Sequence, residues 1–201
     1  MTGPKRIERD REATEQRMLA AVGEMVRAGG FEKIGVNALA AHCGVSKILI
    51  YRYFGSLDGL LAAYIRQHDF WINFSVDIPG RGQLPDFLKK MFRTMIGQLH
   101  TDPTLRRLYR WELSADNELV KALRRQREKT GLELIAKVSR NTGVPEADVA
   151  VLATFLTASV TYLVLLEENC PVYNGIPINE GAGWEQIVLG IDILIDKLFK
   201  E

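Results

Sequence analysis

The sequence contains few cysteines. Cys43 and Cys170 are the two present among 201 residues, so a framework of disulfide bonds is not expected. The N-terminal segment MTGPKRIERDREATEQ is polar and charged throughout, which argues against a secretory signal. These features together predict a cytoplasmic protein.

Patterns that carry catalytic chemistry are also missing. His42, His68 and His100 are scattered, and none lies three or four residues from another histidine or a cysteine, as metal ligands on a helix would. The glycine patterns G-x-x-x-x-G-K-[ST] and G-x-G-x-x-G, which cradle phosphates, do not occur. We therefore predict no enzyme activity, no cofactor and no metal site.

Long uncharged runs are rare as well. One of them, residues 149–166, just reaches the length at which a membrane span is considered. Four hydroxyl residues inside it and acidic residues at both ends favour instead a helix of a soluble protein, buried on nearly all sides. We predict no membrane association. No stretch of any length alternates between apolar and polar residues, so the expected fold is all-α.

The stretch from Gly44 to Leu61, GVSKILIYRYFGSLDGLL, organises the N-terminal part of the chain. Gly44 can adopt the positive φ of a turn between two short helices, and Ser46 is a good N-cap for the second helix. Ile50 and Phe54 are four residues apart and share a face that can anchor this helix to a core. The preceding segment has helical apolar spacing too, so the two form a predicted helix-turn-helix.

The other face of the second helix suits a DNA duplex. Cations and phenol hydroxyls can contact phosphates, Arg and Lys can contact guanine edges, and aliphatic groups can contact thymine methyls. The residues on this face are Lys47, Ile48, Leu49, Tyr51, Arg52 and Tyr53. An ordinary surface helix with cations lying along its apolar flank is the alternative interpretation.

This segment resembles the TetR family of transcriptional regulators. The matching residues are Gly30, Phe31, Val36, Leu39, Ala40, Gly44, Val45, Ser46, Lys47, Ile50, Tyr51, Tyr53, Phe54, Ser56, Leu60 and Leu61. The resemblance implies a three-helix DNA-binding domain over residues 1–60 and a helical effector-binding and dimerisation domain over residues 61–201. It also adds Ser46 and Asn37 to the expected DNA contacts.

Several positions depart from the family pattern. Gly35 stands where Ser or Thr often caps the second helix and touches a phosphate, and Asn37 stands where Arg is common. A lysine common at or just after Gly55 is missing, while Ile48 and Leu49 are larger and more apolar than usual. We expect fewer phosphate contacts and more contact with thymine methyls.

Charge is distributed unevenly along the chain. Residues 1–56 hold nine Lys or Arg against six Asp or Glu, giving +3, and the remainder holds 17 against 19, giving −2. The positive end is therefore the end with the helix-turn-helix. Residues 1–11 are expected to form a charged arm before the first helix, with Lys5, Arg6, Arg9 and Arg11 as candidates for a DNA contact; a disordered tail is the alternative.

The last two helical segments, about 146–168 and 182–200, are more apolar than one buried face requires. Such helices lie in a large core or in an oligomer interface. TetR-like proteins dimerise through their two C-terminal helices as a four-helix bundle, so the resemblance implies a homodimer through these segments. A two-fold dimer in turn implies a palindromic double-stranded DNA operator.

A small apolar or amphipathic effector is a further implication of the resemblance. Candidate lining residues are Trp71, Phe74, Met91, Met95, Tyr109, Trp111, Phe155 and Tyr162, with His68, His100 or Glu112 as polar partners. Aromatic and methionine residues at helical spacing are also typical of a plain core.

The sequence thus predicts a DNA-binding regulator, most simply a repressor released by its effector. The alternative is a helical dimer that binds a small molecule or acts as a scaffold without useful DNA affinity.

Overall fold

The computed structural model describes residues 4–74 and 77–199, with side chains from Arg11 onward. Ten helices dominate these described residues, which confirms the predicted all-α fold. They are α1 (Pro4–Gly29), α2 (Val36–Cys43), α3 (Lys47–Phe54), α4 (Leu57–His68), α5 (Phe70–Asn73), α6 (Leu84–Thr101), α7 (Pro103–Ser114), α8 (Glu118–Thr142), α9 (Glu146–Leu166) and α10 (Gly181–Phe199). Short 3-10 turns occupy Phe31–Lys33 and Arg81–Gln83, and a hairpin pairs β1 (Val172–Tyr173) with β2 (Ile176–Pro177).

The chain divides into two compact units. Unit 1 runs up to Asp69 and also includes Arg107–Leu123, and unit 2 comprises Phe70–Arg106 and the chain from Arg124 onward. The functional boundary predicted at residues 60–61 stays a prediction.

Unit 1 is built around α1, which packs against α2 and α4. An apolar stripe of α1 is buried there: Met18, Leu19, Ala21, Val22 and Val26. Phe31 follows the helix and stacks on Trp111, with ring centroids 5.0 Å apart and planes 15° apart. Because α1 begins at Pro4, the prediction of an arm before the first helix is wrong from residue 4 onward. The side chains of Lys5, Arg6 and Arg9 lie outside the described residues.

The start of α4 lies against the end of α3. Ser56 caps α4, since its Oγ accepts a hydrogen bond from the Gly59 N–H at 2.9 Å. A Cβ on Gly59 would come within 2.0 Å of the Phe54 carbonyl oxygen, so only glycine permits this close approach. The helix ends at His68, and Asp69 adopts an extended conformation before α5. The apolar pattern of the sequence continues from Leu57 through Ile72 and predicts one continuous helix, and the break at Asp69 shows that this prediction is wrong.

Unit 2 is organised around α6, which packs against both α9 and α10. Leu88, Phe92, Met95, Ile96 and Leu99 bury the apolar side of α6. Two ion pairs join the same helix to α10: Lys89 Nζ lies 2.6 Å from Asp196 Oδ1, and Arg93 donates to Asp192. These pairs, one turn apart on each helix, fix the register of α6 against α10.

Helix α9 buries one stripe and leaves its other residues half-buried or exposed in the single chain. Val149, Leu156, Val160 and Val164 are buried, whereas Phe155 is 68% exposed. The expectation of a helix buried on nearly all sides is thus wrong for one copy of the chain. Among the described residues, α9 is also the one straight helix long and apolar enough to cross a membrane, judged by length and composition alone.

Candidate nucleic-acid interface

The turn between α2 and α3 has the predicted geometry. Gly44 is left-handed, with φ 65° and ψ 34°, and its backbone ends α2. The Val45 N–H then donates to the Ala40 carbonyl at 3.0 Å, which closes the turn. Ser46 is extended and stands at the N-cap of α3. The two short helices therefore form a helix-turn-helix, as the sequence predicts.

One side of α3 holds the helix in unit 1. Ile50 is fully buried, and Val45 and Phe54 are half-buried beside it. These residues anchor α3 where it packs against α2 and α4. A short helix is marginal on its own, so this packing is what keeps α3 in place.

The opposite side of α3 faces water. Lys47 and Arg52 are exposed there, and Ile48 and Tyr51 are 72% and 46% exposed. Exposed aliphatic and aromatic groups between two cations fit the major groove, where thymine methyls lie among hydrogen-bond acceptors and between phosphates. The remaining members of the predicted face, Leu49 and Tyr53, are half-buried.

Two residues near the ends of the short helices complete the predicted contacts. Ser46 is exposed and its hydroxyl makes no capping hydrogen bond, so the capping bond expected from the sequence is absent at this described residue. Asn37 is exposed in the first turn of α2, which begins after Gly35 with no side chain to cap it. Both polar groups are open to solvent on elements that flank the turn.

A contact from α1 reaches α3. The Arg11 guanidinium lies over the Tyr53 ring, with Cζ 5.2 Å from the ring centroid. Its Nε donates to Glu15 Oε1 at 2.8 Å. That hydrogen bond, together with the negative charge of Glu15, raises the pKa of Arg11. Residues 42 positions apart give no pattern in the sequence, so the sequence alone did not connect Arg11 with Tyr53.

A comparison with known families agrees with this geometry. Residues 19–64 match the family model of bacterial regulatory proteins, tetR family. The match runs from α1 into α4 and contains the complete helix-turn-helix. Residues 19–64 therefore carry the N-terminal domain of the tetR family of bacterial regulatory proteins. Among proteins of curated function none matches the chain. The family match therefore supports a DNA-binding transcriptional regulator and reaches no further along the chain than Tyr64.

The eight effector candidates fall into four pairs. Trp71 and Phe74 of unit 2 are half-buried and belong to an aromatic cluster with Phe70 and Phe87. Met91 and Met95 lie on α6 in the same unit, half-buried and buried respectively. All four residues therefore lie in unit 2, either in the aromatic cluster or on α6.

The other four candidates lie elsewhere. Tyr109 and Trp111 are buried in unit 1, where Trp111 stacks on Phe31. Phe155 and Tyr162 are exposed on α9, a position that suits contact with another helix better than an enclosed pocket. The ligand-lining role of all eight residues stays a prediction.

His100, one of the expected polar partners, lies in a surface recess of unit 2. Its Nε2 is 3.1 Å from Glu167 Oε2, and the same oxygen accepts a hydrogen bond from Trp184 Nε1 at 2.9 Å. Both donors therefore converge on one carboxylate beside the start of α10. In the part of the chain that the structure describes, no three His, Cys, Asp or Glu side chains are arranged to hold a metal ion.

Proposed function

We propose that this regulator is a repressor that binds a palindromic DNA operator as a homodimer and is released by a small apolar or amphipathic effector. The observation that carries the proposal is the outward face of α3. Its Ile48 and Tyr51 are exposed between Lys47 and Arg52, while Ile50 on the other side is fully buried. A helix held in this way presents a fixed set of groups to a groove.

Dimer formation is supported by apolar stripes on the last two helices. Val151, Phe155 and Tyr162 are exposed at four- and seven-residue spacing on α9, and Leu189 and Ile193 are exposed four residues apart on α10. Each stripe follows one side of its helix. Two copies that bury these stripes together would place two α3 helices on one duplex, which is the symmetry of a palindrome.

Effector binding is supported by the aromatic cluster of unit 2, in which Trp71 and Phe74 keep part of their surface exposed. An apolar or amphipathic molecule is the class that such a lining accepts. It can release DNA only to the extent that it prefers the form that does not bind DNA, which is about 1–3 kcal/mol in typical couplings. We place this cycle in the cytoplasm.

The test begins with selection of bound duplexes from a random pool, which should enrich a palindrome. Lys47→Ala and Tyr51→Ala should then each weaken binding to the enriched duplex by about 1–3 kcal/mol, because each removes a base or phosphate contact. Fluorescence anisotropy measures the affinity, and circular dichroism checks the fold. Lys129→Ala, which removes an exposed cation from α8, is the matched control. Full operator affinity in both α3 variants would refute the assignment of α3.

The second candidate is a helical dimer without useful DNA affinity. It is favoured by Gly35, which leaves the start of α2 without a capping side chain that could contact a phosphate. Selection that enriches no motif would support this candidate and exclude the repressor.

A further inference from the structure

Arg11 occupies a special position among the cations of unit 1. It belongs to α1, whose apolar stripe packs against α2 and α4, yet its side chain reaches the Tyr53 ring of α3. The side chain is 60% exposed, so the contact lies at the surface. The guanidinium therefore stands at the edge of the outward face of α3.

Two contacts hold the guanidinium in place. The Nε–H donates to Glu15 at 2.8 Å, and the cation faces the Tyr53 ring at 5.2 Å. A guanidinium has five N–H donors, and four of them belong to its two terminal amino groups. A side chain ordered in advance loses less conformational entropy when it binds. The two terminal groups have the spacing that two oxygens of one phosphate require.

We propose that Arg11 is a DNA phosphate ligand positioned by Tyr53 and Glu15, so that the DNA interface extends from α3 onto α1. This inference rests on the proposed operator-binding function. It assigns Tyr53, which is half-buried, a positioning role through Arg11 in addition to any contact of its own. It also supplies a phosphate contact to a helix-turn-helix that has glycine at both Gly35 and Gly55.

The raised pKa of Arg11 agrees with this role. The hydrogen bond to Glu15 and the charge of Glu15 both favour the protonated guanidinium, so the group stays cationic at every pH at which DNA binding is measured. The contact should therefore depend on salt and not on pH.

The test measures operator affinity against salt for the wild type and Arg11→Gln. Each phosphate contact contributes about 0.9 to the slope of log K against log salt, so losing one per protomer lowers the slope of a dimer by about 1.8. The affinity advantage of the wild type over Arg11→Gln should then shrink about twelvefold between about 50 and 200 mM salt. Arg27→Gln removes an exposed cation from the same helix, about 160° around its axis, and should leave the slope unchanged.

The positioning role of Tyr53 has its own readout. Tyr53→Phe keeps the ring, so Arg11→Gln in that background should still lower the slope by about 1.8. Tyr53→Leu removes the ring, and Arg11→Gln should then change the slope much less. Equal slope changes in both backgrounds would overturn the positioning role, because a direct contact of Arg11 alone would not depend on the ring.

These measurements distinguish a failure of the proposed operator binding from a failure of the proposed Arg11 phosphate contact. A wild type that enriches no duplex refutes the proposed function. A wild type that binds a palindrome, with the slope unchanged in Arg11→Gln, refutes the role of Arg11 alone. Arg11→Met, which keeps the aliphatic part over the ring, is measured beside Arg11→Gln, and circular dichroism confirms that at least one of them is folded. A slope unchanged in the folded variant overturns the proposal.

Discussion

Helices α3 and α9 both expose large apolar side chains, and they differ in the charge around those side chains. On α3, Ile48 and Tyr51 lie between Lys47 and Arg52. On α9, the stripe that contains Phe155 lies within residues 149–166, which hold no charged residue. An apolar group beside cations suits a polyanion that also carries methyl groups, whereas an apolar stripe without charge suits another apolar surface. The surroundings of an exposed residue thus indicate the kind of partner.

Placing a charge on the α9 stripe should give the largest effect. Phe155→Glu would bury a carboxylate in the proposed dimer interface, and we expect it to weaken dimerisation by about 4 kcal/mol, or about a thousandfold in Kd. The fold of the single chain should survive, because Phe155 is 68% exposed in it. Analytical ultracentrifugation measures the Kd. Leu113→Glu, which charges the 78% exposed Leu113 of α7, is the control and should leave dimerisation unchanged.

An unchanged dimerisation Kd in Phe155→Glu would contradict the inference that the uncharged α9 stripe binds a second copy of the chain. The α9 stripe would then have a different partner, and the length and composition of α9 would make a lipid surface the next partner to test.

The two sides of α3 can be separated by one pair of substitutions. Ile50→Ala creates a cavity beneath the helix and should lower the free energy of unfolding by about 3 kcal/mol, since Ile50 is fully buried. Ile48→Ala should change stability by less than about 0.5 kcal/mol because that side chain is mostly exposed. It should instead weaken operator binding by about 1 kcal/mol through lost contact with thymine methyls. Urea denaturation and anisotropy measure the two effects.

An equal loss of stability in both α3 variants would remove the distinction between an anchoring side and a reading side. The result would favour the ordinary surface helix that the sequence leaves open, with its cations along an apolar flank.

Local signals explain why the helix-turn-helix could be predicted from the sequence. Gly44 takes the left-handed conformation that its position requires, Ser56 caps α4, and Ile50 is the buried member of its face. Each of these features depends on residues within one turn of helix. The family resemblance rests on the same residues, and the match to residues 19–64 confirms it.

Features that depend on distant contacts were missed or wrong. The contact of Arg11 with Tyr53 joins two helices, and the stack of Trp111 on Phe31 joins residues 80 positions apart. The hairpin is a different case, because a local signal existed. Asn174 and Gly175 both have positive φ, and Asn-Gly between β-forming residues is a strong hairpin signal. The proline and asparagine content of residues 175–183, taken alone, predicts only a loop.

The smallest expected effect concerns the ion pairs between α6 and α10, where charges are paired within the chain. The hydrogen bond to Asp196 raises the pKa of Lys89 above its ordinary value of 10.5. Burial opposes this rise, and the attractions of Asp196, Asp192 and Asp86 each add a smaller upward contribution to the pKa. A raised folded-state pKa means that the stabilisation is complete below pH 10.5 and is lost as the pH rises through the folded-state value. The stability advantage of the wild type over Lys89→Met should therefore shrink in strongly alkaline solution.

Urea denaturation at neutral and alkaline pH measures this stability advantage, with Lys90→Met as the control on the exposed side of α6. An advantage that persists at high pH would mean that the packing of the Lys89 aliphatic chain, and not its charge, joins α6 to α10.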